Sequence, residues 1–77
     1  MNVKRYEKTY KILCKNIARL RRDTEYTQET FAEKIGVSYS YYAQIEAPNV
    51  YVGISLPVLF EIANALEVNI KVLFEGC

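Results

Sequence analysis

Residues 27–46 read TQETFAEKIGVSYSYYAQIE. The stretch predicts two short helices joined by a tight turn at Gly36. Thr27 opens the first, because its hydroxyl can accept an orphan N–H of the opening turn. Phe31, Ala32 and Ile35 fall on one apolar face. Gly36 takes the left-handed backbone that ends a helix, and Val37 returns towards a core. Ser38 caps the second helix, whose inward residues are Tyr42 and Ile45. With those two inside, the 3.6-residue period turns Ser40, Ala43, Gln44 and Ala47 outwards, and Tyr39 projects from the leading end. Apart from flanking Glu46, that outer surface is uncharged. Small, amide-bearing and aromatic groups suit a partner with hydrogen-bonding edges and methyl groups.

Helix, glycine turn and helix at this spacing form a helix-turn-helix pattern. Residues 19–46, RLRRDTEYTQETFAEKIGVSYSYYAQIE, and residues 55–74, SLPVLFEIANALEVNIKVLF, extend it. Together they resemble the phage-repressor and Cro type of DNA-binding domain over about residues 13–74. The resemblance rests on Arg21, Gln28, Ala32, Gly36, Val37, Ser38, Ile45, Glu46, Leu59, Ala63, Leu66, Val68 and Leu73. It implies an all-α, five-helix, lambda-repressor-like domain with an N-terminally extended helix 1. Helices are expected at about 3–22, 28–35, 39–46, 56–66 and 70–74, within one domain spanning 1–77.

The same resemblance implies a sequence-specific, double-stranded-DNA-binding transcriptional regulator with helix 39–46 in the major groove. A homodimer on a near-palindromic site goes with it. Gln28, at the start of the first motif helix, is the expected phosphate contact, and in the family a Gln here can also buttress the first recognition-helix residue. Tyr39, Ser40 and Gln44 occupy base-reading positions, with Tyr41 and Ala43 at the groove walls. A Gln amide pairs bidentately with adenine, so Gln44 is the main reader. In the family, Arg21 and Glu46 form a structural ion pair that ties helix 1 to the end of the recognition helix. Helical phase agrees with this, since Arg21 lies at the edge of an apolar stripe where an unpaired charge is costly.

Two departures from the family pattern stand out. Pro48 replaces a usual glycine, and Val50, Tyr51 and Val52 stand where basic, phosphate-gripping residues are common. Glu25 replaces a helix-ending glycine, which suggests a less regular exit from helix 1. The apolar 47–54 segment either covers the core or joins a subunit contact. A neutral recognition surface beside a loop without cations leaves a second reading open. In it the chain is an antitoxin-like or accessory protein-interaction module that keeps the fold with weak or no DNA binding.

The net charge is only +1, but it is segregated. Residues 1–22 hold eight Lys or Arg and one Glu, for +7; residues 23–77 hold two Lys and eight acids, for −6. Lys4, Lys8, Lys11, Lys15, Arg19 and Arg22 form one helical stripe. Val3, Tyr6, Tyr10, Leu13, Ile17, Leu20 and Thr24 form the opposite, apolar one. The basic stripe is either a solvated face or an attractor of phosphates. Periodicity alone leaves its orientation to the recognition helix open. Val3, Tyr6 and Tyr10 are expected to pack near Phe74 or against a second subunit.

Ser55 is expected to cap a fourth helix with Pro57 in its first turn and Leu56, Leu59, Phe60, Ala63 and Leu66 on its apolar face. Asn69 caps a last helix bearing Val72, Leu73 and Phe74. Seventy-seven residues suffice for one small core. No apolar run approaches a membrane span and no signal-peptide pattern opens the chain, so a cytoplasmic protein is expected. Cys14 and Cys77, with no His in the chain, form no zinc framework and read as free thiols, the first semi-buried and the second at a frayed end. No metal, cofactor or small-molecule ligand is expected. No His, phosphate-cradling glycine loop or suitably spaced acid pair offers catalysis, so the chain is not expected to be an enzyme.

Overall fold

The computed structural model describes residues 3–77, except for the side chain of Val3. Among these residues the chain is entirely helical. A 3-10 turn at Val3–Arg5 precedes five α-helices: α1 Glu7–Arg22, α2 Gln28–Ile35, α3 Tyr39–Glu46, α4 Leu56–Ala65 and α5 Ile70–Leu73. The long first helix expected from residue 3 therefore breaks at Tyr6. Tyr6 sits at φ −116° and offers no side-chain cap, so the first turn tightens instead of joining α1. At the other end of the chain, α4 stops one residue short of Leu66 and α5 one short of Phe74.

Short-range chemistry sets most helix ends. Thr27 and Thr30 exchange hydrogen bonds in a capping box at the start of α2, satisfying two donors that the helix cannot. At its other end Gly36 adopts φ +80°, and the Val37 N–H donates to the Ala32 carbonyl at 3.0 Å. That closure fixes the turn into α3. Ser38, Ser55 and Asn69 each accept a backbone N–H at the start of α3, α4 and α5. Ala47 is extended, with ψ 134°, as the following Pro48 requires.

The core is built from every helix: Ile17, Phe31, Tyr42, Ile45, Ile62 and Leu73 are essentially solvent-free. Phe31 meets Tyr42 edge-on at 5.1 Å and Tyr26 at 5.4 Å. Each large side chain of this kind contributes about 1.5–3 kcal/mol on burial. On α4 the buried stripe is Leu59, Ile62 and Ala63. Leu56 and Phe60, expected in that stripe, are instead 57% and 53% exposed. Phe60 lies off the Leu59–Ile62–Ala63 face, and Leu56, close to that face in phase, is the first residue of the helix.

Helix α1 buries Leu13, Cys14, Ile17 and Ala18, a face rotated towards Cys14 and Ala18 from the expected stripe. Asn16 donates to the carbonyls of Leu73 and Glu75 at 2.8 Å, tying α1 to the chain's last turn. Tyr10, expected near Phe74, instead stacks at a tilt on Tyr51, with ring centroids 5.4 Å apart. Its hydroxyl accepts the Val52 N–H at 3.1 Å. Tyr6 and Phe74 both remain exposed. Val52 and Ile54 pack on the core while Val50 stays outside, so the 47–54 segment forms a partial cover. Cys14 is buried and Cys77 exposed, and both are free thiols; the Cys77 sulfur lies 3.6 Å from the Thr9 carbonyl.

Candidate nucleic-acid interface

The site is α3 and what holds it. Its inner residues, Tyr42 and Ile45, are wholly buried, and this sets the rotation of the helix about its axis. At its C-terminal end Glu46 receives four hydrogen bonds. Arg21 donates through Nε to Oε2 at 2.8 Å and through Nη2 to Oε1 at 3.0 Å. Gln28 Nε2 donates to Oε1 at 2.9 Å, and the Tyr42 hydroxyl donates to Oε2. Arg21 spends its third nitrogen on the Tyr26 carbonyl at 3.0 Å. The side chains of the pair are only 12% and 4% exposed.

This cluster joins α1, α2 and α3 through one carboxylate. Burial opposes the charge on Glu46, but the hydrogen bonds from Arg21, Tyr42 and Gln28 outweigh it and hold the carboxyl below its usual range. The same bond raises Arg21, and burial together with the anionic neighbour raises Tyr42. Arg21 and Glu46 were singled out in the sequence. Gln28, Tyr42 and the Tyr26 carbonyl are members that the sequence reading lacks, and Gln28 braces the last residue of α3, not the first. The four-residue step from Tyr42 to Glu46 on one helix was a legible signal; the Tyr26 carbonyl offered none.

Opposite the cluster, Tyr39, Ser40 and Gln44 are exposed. Ser40 and Gln44 are four apart and share a face. None of these three side chains hydrogen-bonds another described residue, so their donors and acceptors point to solvent. Ala43 is half-buried between them and the core. Tyr41 is placed differently: it is half-buried, and its hydroxyl donates to the Gly53 carbonyl at 3.0 Å. Gln28 opens α2, as a phosphate contact would need, but its amide nitrogen is bonded to Glu46. Its amide oxygen hydrogen-bonds no described residue.

A groove of about 290 Å³ separates α1 from the segment that leaves α3. Its walls include Lys11, Lys15 and Arg22 on one side and Ala47 to Tyr51 on the other. Among the described residues no group of three or more His, Cys, Asp or Glu side chains could hold a metal ion. No described helix is long and apolar enough to cross a membrane.

A family profile described as helix-turn-helix matches residues 17–73, which covers every helix from the middle of α1 to α5. No curated protein and no solved structure matches the chain.

Proposed function

Because the chain belongs to the phage-repressor and Cro type of helix-turn-helix DNA-binding domains, we propose that it is a sequence-specific regulator of transcription. In this reading α3 lies in the major groove of double-stranded DNA. One observation carries it. A helix clamped at its rear by the Arg21–Glu46 cluster presents Tyr39, Ser40 and Gln44 outwards with unspent hydrogen-bonding groups. Rigid support behind an unsatisfied polar face is what base reading demands, because a side chain discriminates bases only when its backbone is held in place.

An eight-residue helix is about 12 Å long and contacts few base pairs. Useful affinity and specificity therefore call for two copies on two half-sites about one helical turn apart. The test is selection of bound duplexes from a random pool. The expected outcome is enrichment of a motif with two inverted half-sites. A pool that remains unenriched after repeated rounds overturns the proposal.

The cation-free exit segment and the exposed Leu56 and Phe60 favour a second reading, a protein-interaction module built on the same fold. Its signature is co-purification with a second protein and no salt-sensitive affinity for duplex DNA.

A further inference from the structure

Binding to duplex DNA requires cations at the phosphates, because neutralising them releases the condensed counterions. Neither α3 nor residues 47–54 carry a Lys or Arg. Of the ten in the chain, eight lie in residues 1–22, leaving Lys34 and Lys71. Lys34 sits in the last turn of α2 and Lys71 in α5. The positive charge for a phosphate grip is therefore concentrated in residues 1–22, with six of its eight cations on α1. The remaining surface is acidic, with seven acids besides the buried, paired Glu46 against those two lysines, and repels a polyanion.

The fold places part of the α1 stripe beside the recognition helix. Lys11, Lys15 and Arg22 form one wall of the groove whose other wall is the exit segment Ala47–Tyr51. Lys11 is partly engaged by Glu7 at 3.4 Å. Lys15 and Arg22 are exposed and make no salt bridge with a described residue. Glu46 also lines the groove, but its two oxygens are saturated by Arg21, Gln28 and Tyr42. Adjacent arginines thus divide the work: Arg21 turns inwards to Glu46, and Arg22, about 100° further round the helix, faces the groove.

We propose that Lys15 and Arg22 grip backbone phosphates of the DNA where the chain leaves the recognition helix, supplying from α1 the positive charge that the exit segment lacks. This rests on the DNA-binding reading above. The two residues are seven apart, so they share a face at about 10 Å separation along the axis. Each engages its own phosphate, and their contributions to the salt dependence add.

The experiment measures affinity for the selected duplex between 50 and 200 mM salt. It uses the full chain as wild type, Lys15→Gln, Arg22→Gln, the double variant and Lys71→Gln. Each phosphate cation contributes about 0.9 to the slope of log affinity against log salt. Lys15→Gln and Arg22→Gln should each flatten the slope by about that amount, and the double variant by about twice it. Base preference should not change, and Lys71→Gln should match the wild type. All the altered side chains are exposed, and unchanged thermal melts check that folding is intact. A double variant that keeps the wild-type slope, on a wild type that binds with sequence preference, overturns this inference and leaves the DNA-binding reading standing. A wild type that binds no duplex overturns both.

Discussion

The two sides of α3 follow opposite rules. At its rear, one carboxylate takes four hydrogen bonds from three side chains on α1, α2 and α3 itself, almost out of solvent. At its front, Tyr39, Ser40 and Gln44 have no partners among the described residues and are exposed. The polar groups of the cluster behind the helix are committed to the fold, whereas Tyr39, Ser40 and Gln44 in front hold theirs towards solvent. Under the proposed function, the contrast separates residues whose loss destabilises the fold from residues whose loss weakens DNA recognition. Gln28 belongs to both sets, since it joins the rear cluster and also opens α2.

The strongest way to break this comparison is to remove one half of the buried pair. Arg21→Ala or Glu46→Ala leaves an uncompensated charge among groups arranged for its partner, which costs roughly 3–5 kcal/mol. Both variants should melt far below the wild type, and the double variant should lose less than the sum of the singles. Wild-type melting of either single variant would refute the clamp.

Next in size is the front. Gln44→Ala should melt like the wild type, because its side chain is exposed and hydrogen-bonds no described residue. It should nonetheless lose roughly 1–3 kcal/mol of affinity for the selected duplex and relax one base position. Gln28→Ala should weaken all sequences more evenly and also lower stability by about 1.5 kcal/mol, the loss of a hydrogen bond to a charged group. Unchanged base preference in Gln44→Ala would show that the front of α3 does not read DNA as proposed.

The smallest and most diagnostic effect is on acid stability. Glu46 is held below its ordinary value of 4.5, so the unfolded chain takes up the proton first as pH falls. The stabilisation from its charge is complete above that value and is lost as pH drops through the depressed folded one. Denaturant midpoints of the wild type should therefore fall below about pH 4.5. Those of Glu46→Gln should start lower and fall less steeply. Parallel pH profiles would place the acid sensitivity in another carboxylate.

What was legible in the sequence is what neighbours in the chain decide. The caps at Thr27, Ser38, Ser55 and Asn69 act over two or three residues. Gly36 ends α2 because its φ of +80° is open to glycine without steric cost, and Pro48 ends α3 through the residue before it. Helical period alone put Tyr42 and Ile45 inside and Ser40 and Gln44 outside. Resemblance, rather than period, joined Arg21 to Glu46.

Tertiary structure decided which of two plausible faces each outer helix would bury. Apolar periodicity spans an arc wide enough for either Leu56 and Phe60 or Ile62 to face inwards, and only packing against α2 and α5 selected Ile62. Ties equally remote in sequence hold α1, with Asn16 bonding residues 57 and 59 positions distant and Tyr10 meeting Tyr51 and Val52 across 41 and 42. Gln28 reaches Glu46 over 18 residues, and Lys15 and Arg22 border the exit of α3 only because α1 packs against α3. Contacts this remote leave no periodic trace, because the chain between them can take many lengths and paths that bring the same two side chains together.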